Sequence, residues 1–149
     1  MELHAIVDKF VGTWEMDKKR STPLKKILKM LNYSLVERSY AASANVVACV
    51  RNLGDSIAIE TKVKNSSIKM IYPISQELQT YTVDNKIVVQ QIKFVDESSI
   101  RIESSFITDK YKQVKTFRHL DENTCEQNLE IHRPKKGVKT SHIVFRRIA

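Results

Sequence analysis

The stretch TPLKKILKMLNYSLVERSYAAS, residues 22–43, interrupts a chain that otherwise alternates like β-strand. It reads as two short helices joined back to back. Thr22 is a candidate N-cap, and Pro23 suits the first helical position, where a missing N–H costs nothing. Leu24, Ile27, Leu28 and Leu31 recur at i, i+3, i+4 and i+7, forming one apolar stripe. Lys25, Lys26 and Lys29 lie off that stripe. Asn32 suits a left-handed helix terminus. Ser34 and Glu37 form a capping box that starts the second helix at once. Leu35, Val36, Tyr40 and Ala41 give that helix an apolar side. The result is a tight helical hairpin, apolar beneath and basic above. The lysines form a solvated outer face, or they meet an anionic partner.

On either side of the hairpin the period is two. Phe10 to Met16 reads as a first strand, closed by the charged turn Asp17–Arg20. Downstream, Ile57, Ile59, Thr61 and Val63 alternate with polar residues, as do Ile100, Ile102, Ser104 and Phe106, and then Cys125, Gln127, Leu129 and Ile131. Each is a strand with one wet and one drier face. Short breaks such as Asn65-Ser-Ser67, Asp84-Asn85 and Pro134–Gly137 recur at intervals of roughly ten residues, the spacing of an antiparallel meander. Such sheets remove open edges by closing into a barrel. Val88, Gln90, Ile92 and Phe94 form one inward set, and Val114, Thr116 and Arg118 another. Polar side chains among them suit a barrel wide enough for ligand and water. The opposite phase would send them to solvent.

The chain has 149 residues with 42% hydrophobic and 28% charged, enough for one domain spanning residues 1–149. Its net charge of +8 favours anionic partners without choosing among them. No apolar run is long enough to span a membrane. The opening MELHAIVDKF lacks a secretory pattern, which implies a cytoplasmic protein. There Cys49 and Cys125 are reduced thiols and the sequons at Asn32 and Asn65 are silent. His4, His119, His132 and His142 show no metal-ligand spacing, and no phosphate loop or nucleophile elbow is present. No cofactor, metal or catalysis is expected. Cys125 and His119, six apart, are expected to point away from each other. Aromatic residues are not interleaved with lysines on one strand face, which disfavours a nucleic-acid-binding module.

Four stretches resemble the intracellular lipid-binding family, the fatty-acid-binding and cellular retinoid-binding proteins of the calycin superfamily. Phe10-Val-Gly12-Thr-Trp14 is similar to the family's opening Phe-x-Gly-x-Trp. The hairpin resembles its lid helices. Ile57–Ser66 resembles its strand and Lys-Asn-Thr turn, and Gly137–Phe145 its closing segment. The resemblance implies a mainly β fold: a ten-stranded antiparallel up-and-down barrel (a β-clam), with a helix-turn-helix lid between the first two strands. It implies a monomeric, non-enzymatic carrier of a fatty acid or similar lipid. Leu24, Ile27, Leu28, Leu31, Val63, Thr116, Ile143 and Phe145 would line the site. Arg118 falls at the position resembling the family's first carboxylate-binding arginine. Ile143 and Phe145 replace the Arg and Tyr of its closing motif, although a one-residue slip would turn His142 and Val144 inward. A neutral lipid or retinoid-like ligand is the alternative. Lys25, Lys26 and Lys29 would dock on anionic membrane, at about 1 kcal/mol each.

Overall fold

The computed structural model describes residues 2–41 and 43–149, without the side chains of Tyr40 and Ala41. Ten antiparallel strands follow a short N-terminal helix: β1 (Gly12–Met16), β2 (Val46–Asn52), β3 (Ser56–Val63), β4 (Ser66–Pro73), β5 (Gln79–Val83), β6 (Lys86–Asp96), β7 (Ser99–Phe106), β8 (Tyr111–Asp121), β9 (Thr124–Arg133) and β10 (Gly137–Arg147). They form one sheet in the order β4-β3-β2-β1-β10-β9-β8-β7-β6-β5. Each strand pairs with its chain neighbour, and β1 pairs with β10, so the meander curls round on itself. The ladder is interrupted between β4 and β5. Tight turns carry the reversals, with Lys64, Asp84, Asn85, Lys110 and Lys135 in the left-handed region. Asp and Asn accept that region more readily than most residues.

The period-two reading holds on most strands. Val88, Gln90, Ile92 and Phe94 are all buried, as are Ile100, Ile102 and Ser104. Ile143 and Phe145 belong to the main apolar cluster. His142 points the other way, to Glu126 Oε2 at 2.8 Å. The closing strand is therefore in the preferred register, without the slip.

Helix α1 (Leu3–Phe10) was not anticipated. Phe10 ends this helix, and the first strand begins two residues later. Leu3, Ile6, Val7 and Phe10 fall at i, i+3, i+4 and i+7 and pack into the core. Arg147 fastens the helix to the barrel floor. Its guanidinium donates to the carbonyls of Val11 (2.6 Å), Lys9 (3.0 Å) and Glu122 (2.6 Å). It also lies 4.2 Å over the Trp14 ring. Gly12 has φ +141°, and a Cβ there would strike Arg147 and the Ala149 carbonyl.

Helices α2 (Leu24–Met30) and α3 (Leu35–Ala41) form the hairpin between β1 and β2. Asn32 takes the left-handed conformation at φ 64°. The capping box forms as expected: Ser34 N donates to Glu37 Oε1 at 3.1 Å, and Glu37 N donates to Ser34 Oγ at 3.2 Å. Those bonds hold the Glu37 carboxyl below its ordinary range. Thr22 does not cap α2. Its hydroxyl instead accepts from His142 N at 2.9 Å, tying the hairpin's entry to β10.

Candidate barrel site and its lid

The inner wall follows from the strand register. One ring runs through Ile92, Ile102, Lys115, Leu129 and Ser141, each opposite the next across β6 to β10. The ring on one side runs through Phe94, Ile100, Phe117, Gln127 and Ile143. The ring on the other side contains Gln90, Ser104, Gln113 and Ile131. Gln90 Nε2 donates to Tyr81 Oη and to Ser104 Oγ, both at 3.1 Å. Tyr72 is buried on β4, and desolvation pushes its phenol up to about 12. Burial raises the Tyr81 phenol too.

The phase expected for β8 is corrected. Lys115 and Phe117 face the interior, and Val114, Thr116 and Arg118 face out. The Arg118 side chain is 62% exposed and lies 3.9 Å from Glu126 on the outer surface. Thr116 stands opposite Arg101 and Asn128 on that same face. Val114 misled the pattern because it is buried while facing outward, flanked in the ladder by Glu103 and Glu130. Apolar residues stand at both parities of this strand, Val114 on one and Phe117 on the other, so hydrophobicity alone did not decide.

Lys115 is the inner wall's interior cation. Among the described residues no Asp or Glu occupies an inward position of the ladder beside it, and the amine makes no hydrogen bond or ion pair. Desolvation lowers its pKa. Protein encloses the side chain, yet it keeps some accessible surface. Both hold together when a residue lines a hollow. Ile59, Thr61, Val63, Gln113, Phe117 and Gln127 are also inward and only half-buried. The accessible surface totals 8859 Å² for 17.2 kDa. A compact monomer of that mass would expose about 7,800 Å², and an accessible inner wall accounts naturally for an excess. In the Lys115 ring, Ser141 Oγ is buried without a partner among the described residues.

Of the residues expected to line the site, Leu24, Ile27, Leu31, Val63, Ile143 and Phe145 gather in or against one apolar cluster. Leu28 is half-buried. Met30, which lay outside the expected stripe, packs with Leu129 and Ile131. Its carbonyl accepts from Arg133 Nη2 at 2.9 Å, and the Arg133 guanidinium lies 5.5 Å from the Tyr111 ring centroid. Thus α2 is pinned over the end of the barrel nearest the Lys115 ring. Lys25, Lys26 and Lys29 are exposed, and Lys26 borders the recess between α2 and Ser141. Leu35 and Val36 do not lie beneath the lid: they are exposed at 62% and 79%. Tyr40 and Ala41, expected beside them, lie outside the described side chains. Open recesses indent the wall among the described residues. One, of about 450 Å³, lies at the β7–β8 and β9–β10 turns; another, of about 440 Å³, lies between α2 and Ser141.

His119 and Cys125 are direct cross-strand partners rather than divergent. The β8–β9 hairpin turns between them. Burial pushes the Cys125 thiol up to about 12 and lowers the His119 pKa. Neither shift favours the thiolate–imidazolium form a nucleophile needs. Both cysteines are free, with Cys125 inward and Cys49 outward beside Thr13. Among the described residues no cluster of His, Cys, Asp or Glu could hold a metal ion, and no helix is long and apolar enough to cross a membrane.

No family model and no curated relative matches the chain. Solved structures do. Caenorhabditis elegans lipid binding protein 8, in its apo form, matches with TM-score 0.74 at 15% identity, covering 95% of this chain and 96% of that one. The Schistosoma mansoni fatty acid binding protein, in complex with arachidonic acid, matches with TM-score 0.71 at 14% identity, covering 97% and 99%. A fatty-acid-binding protein from Drosophila melanogaster brain matches with TM-score 0.70 at 18% identity, covering 92% and 98%. The chain has the fatty-acid-binding-protein fold. That fold places the lid, the gap between β4 and β5 and the inward-facing wall in one frame along nearly the whole chain.

Proposed function

We propose that this protein is a non-enzymatic, cytoplasmic carrier of a long-chain fatty acid or similar amphipathic lipid, held inside the barrel with its anionic head at Lys115. The observation that carries this reading is a largely apolar inner wall bearing one enclosed amine that, among the described residues, has no partner and no acid beside it. A carboxylate entering there supplies the missing counter-charge, and Ser141 Oγ offers an unused hydrogen-bonding group in the same ring. Each buried methylene contributes about 0.8 kcal/mol, so an acyl chain can outweigh the cost of association. The structurally similar Schistosoma mansoni protein, solved in complex with arachidonic acid, supports the ligand class. The test is calorimetric titration of delipidated protein with oleate. One site of micromolar or tighter affinity that weakens in Lys115→Met supports the reading, and no saturable site refutes it.

The Tyr81–Gln90–Ser104 cluster favours a second ligand class, a lipid with a hydroxyl or other neutral head. Retinol binding that depends on Gln90 and is indifferent to Lys115 would select it.

Lid contact with membrane is part of the proposal. Lys25, Lys26 and Lys29 are exposed on α2, and Leu35 and Val36 are exposed at the start of α3. Basic and apolar groups together suit an anionic bilayer surface. The protein is proposed to act as a monomer without cofactor or nucleic acid.

A further inference from the structure

We propose that the Lys115 ε-amine condenses with long-chain lipid aldehydes inside the barrel, so that the protein carries them as a covalent imine. This rests on the carrier reading above and adds a second ligand class to it. The geometry supports it in three ways. Lys115 projects into the interior from the middle of β8, between Ile102 and Leu129, with Gln113 and Phe117 as its inward neighbours along the strand. Among the described residues it has no hydrogen bond or ion pair, so no bond there must be broken before the amine attacks. No carboxylate occupies an inward position beside it among the described residues, so nothing holds the nitrogen in its ammonium form. Desolvation favours the neutral amine further. An uncharged lysine in an apolar site is the nucleophile that imine chemistry requires.

The balance closes without an oxidant. The nitrogen lone pair attacks the aldehyde carbon and forms the C–N bond, while the carbonyl π pair moves to oxygen. Proton transfer from nitrogen to oxygen gives a neutral carbinolamine. Loss of water breaks the C–O bond and leaves the neutral imine. The acyl tail occupies the apolar wall as it would in a fatty acid. Exclusion of water then slows the reverse hydrolysis. A fatty acid would compete, because its carboxylate stabilises the ammonium form and fills the same space.

The test incubates delipidated protein with hexadecanal and sodium cyanoborohydride, then maps the modified peptides by mass spectrometry. Oleate affinity is measured on the same samples. The expected result is one hexadecyl group on Lys115. Saturating oleate should suppress it at least tenfold. Lys115→Arg keeps a cation but cannot form the imine, so it should lose the adduct. Mapping of the wild-type protein decides the matter even where a variant folds poorly. Oleate binding with no Lys115 adduct, or with adducts only on surface lysines such as Lys25, overturns the aldehyde inference and leaves the fatty-acid reading standing. Failure to bind oleate and hexadecanal alike overturns both.

Discussion

Replacing Lys115 with Met should make the empty protein more stable and a poorer binder at once. Met fills a similar volume and removes an unpaired amine from the barrel interior. Leaving a buried polar group unsatisfied costs about 1–3 kcal/mol, and partial access to the hollow argues for the lower half, about 1–2 kcal/mol. For a chain of this length that raises Tm by about 2–8 °C. The affinity moves the other way. Loss of a charge-assisted contact to a carboxylate costs about 2 kcal/mol, a Kd weaker by roughly 30-fold. The stability gain also depends on pH. Desolvation lowers the Lys115 pKa below its usual 10.5, so the unfolded chain binds the extra proton in the interval beneath 10.5. The advantage of the Met variant therefore shrinks as pH rises towards 10.5. The nearest titratable groups along the inner faces of β8 and β9 are Tyr111, His119, Cys125 and Arg133, each two pleats away along its strand. Urea unfolding from pH 7 to 10, with oleate titration at pH 7, measures all three effects. A Met variant that is less stable than wild type and binds oleate equally well would mean that Lys115 neither destabilises the empty barrel nor holds the ligand.

Other positions give separate tests. Arg118→Ala should leave oleate affinity within twofold and stability within about 0.5 kcal/mol, since its side chain is exposed and its pairing with Glu126 is long; calorimetry and chemical denaturation check both. Gly12→Ala should destabilise by about 2–4 kcal/mol, because φ is +141° and the added methyl meets Arg147 and the Ala149 carbonyl. Arg147→Ala should cost about 2–4 kcal/mol through three lost carbonyl contacts and the stack on Trp14, with a changed Trp14 emission during urea unfolding as the signature. Substituting Glu for Lys25, Lys26 and Lys29 should slow transfer of a fluorescent fatty acid to anionic vesicles and abolish its salt dependence; an unchanged rate would remove membrane docking from the account.

The hairpin was legible because both its devices are local. Asn32 at a positive φ and the Ser34–Glu37 box depend on residues a few positions apart. The strands on which polarity and hydrophobicity alternate cleanly, such as Ile100–Phe106, were legible for the same reason. Thr22 was assigned a local cap, and a long-range partner in β10 claimed its hydroxyl instead. Helix α1 carried a readable stripe at Leu3, Ile6, Val7 and Phe10, but a strand motif ending in Trp14 overlapped its last residue. The site itself was least legible. On β8 the family resemblance favoured Arg118 and the lone Val114 agreed with it, whereas the interior lies on the parity of Lys115 and Phe117. A lysine at an inward position has the same appearance in sequence as one facing water. Only the pairing of Lys115 with Ile102 and Leu129 reveals which it is.

Photo-crosslinking reads out where the lipid sits. Delipidated protein is irradiated with a fatty acid bearing a diazirine along its chain, and the labelled residues are mapped. Labels on inward residues such as Ile92, Ile102, Phe117 and Ile143, competed away by oleate, are the expected result. Labels confined to Leu35, Val36 and the outer wall would mean that the lipid never enters the barrel.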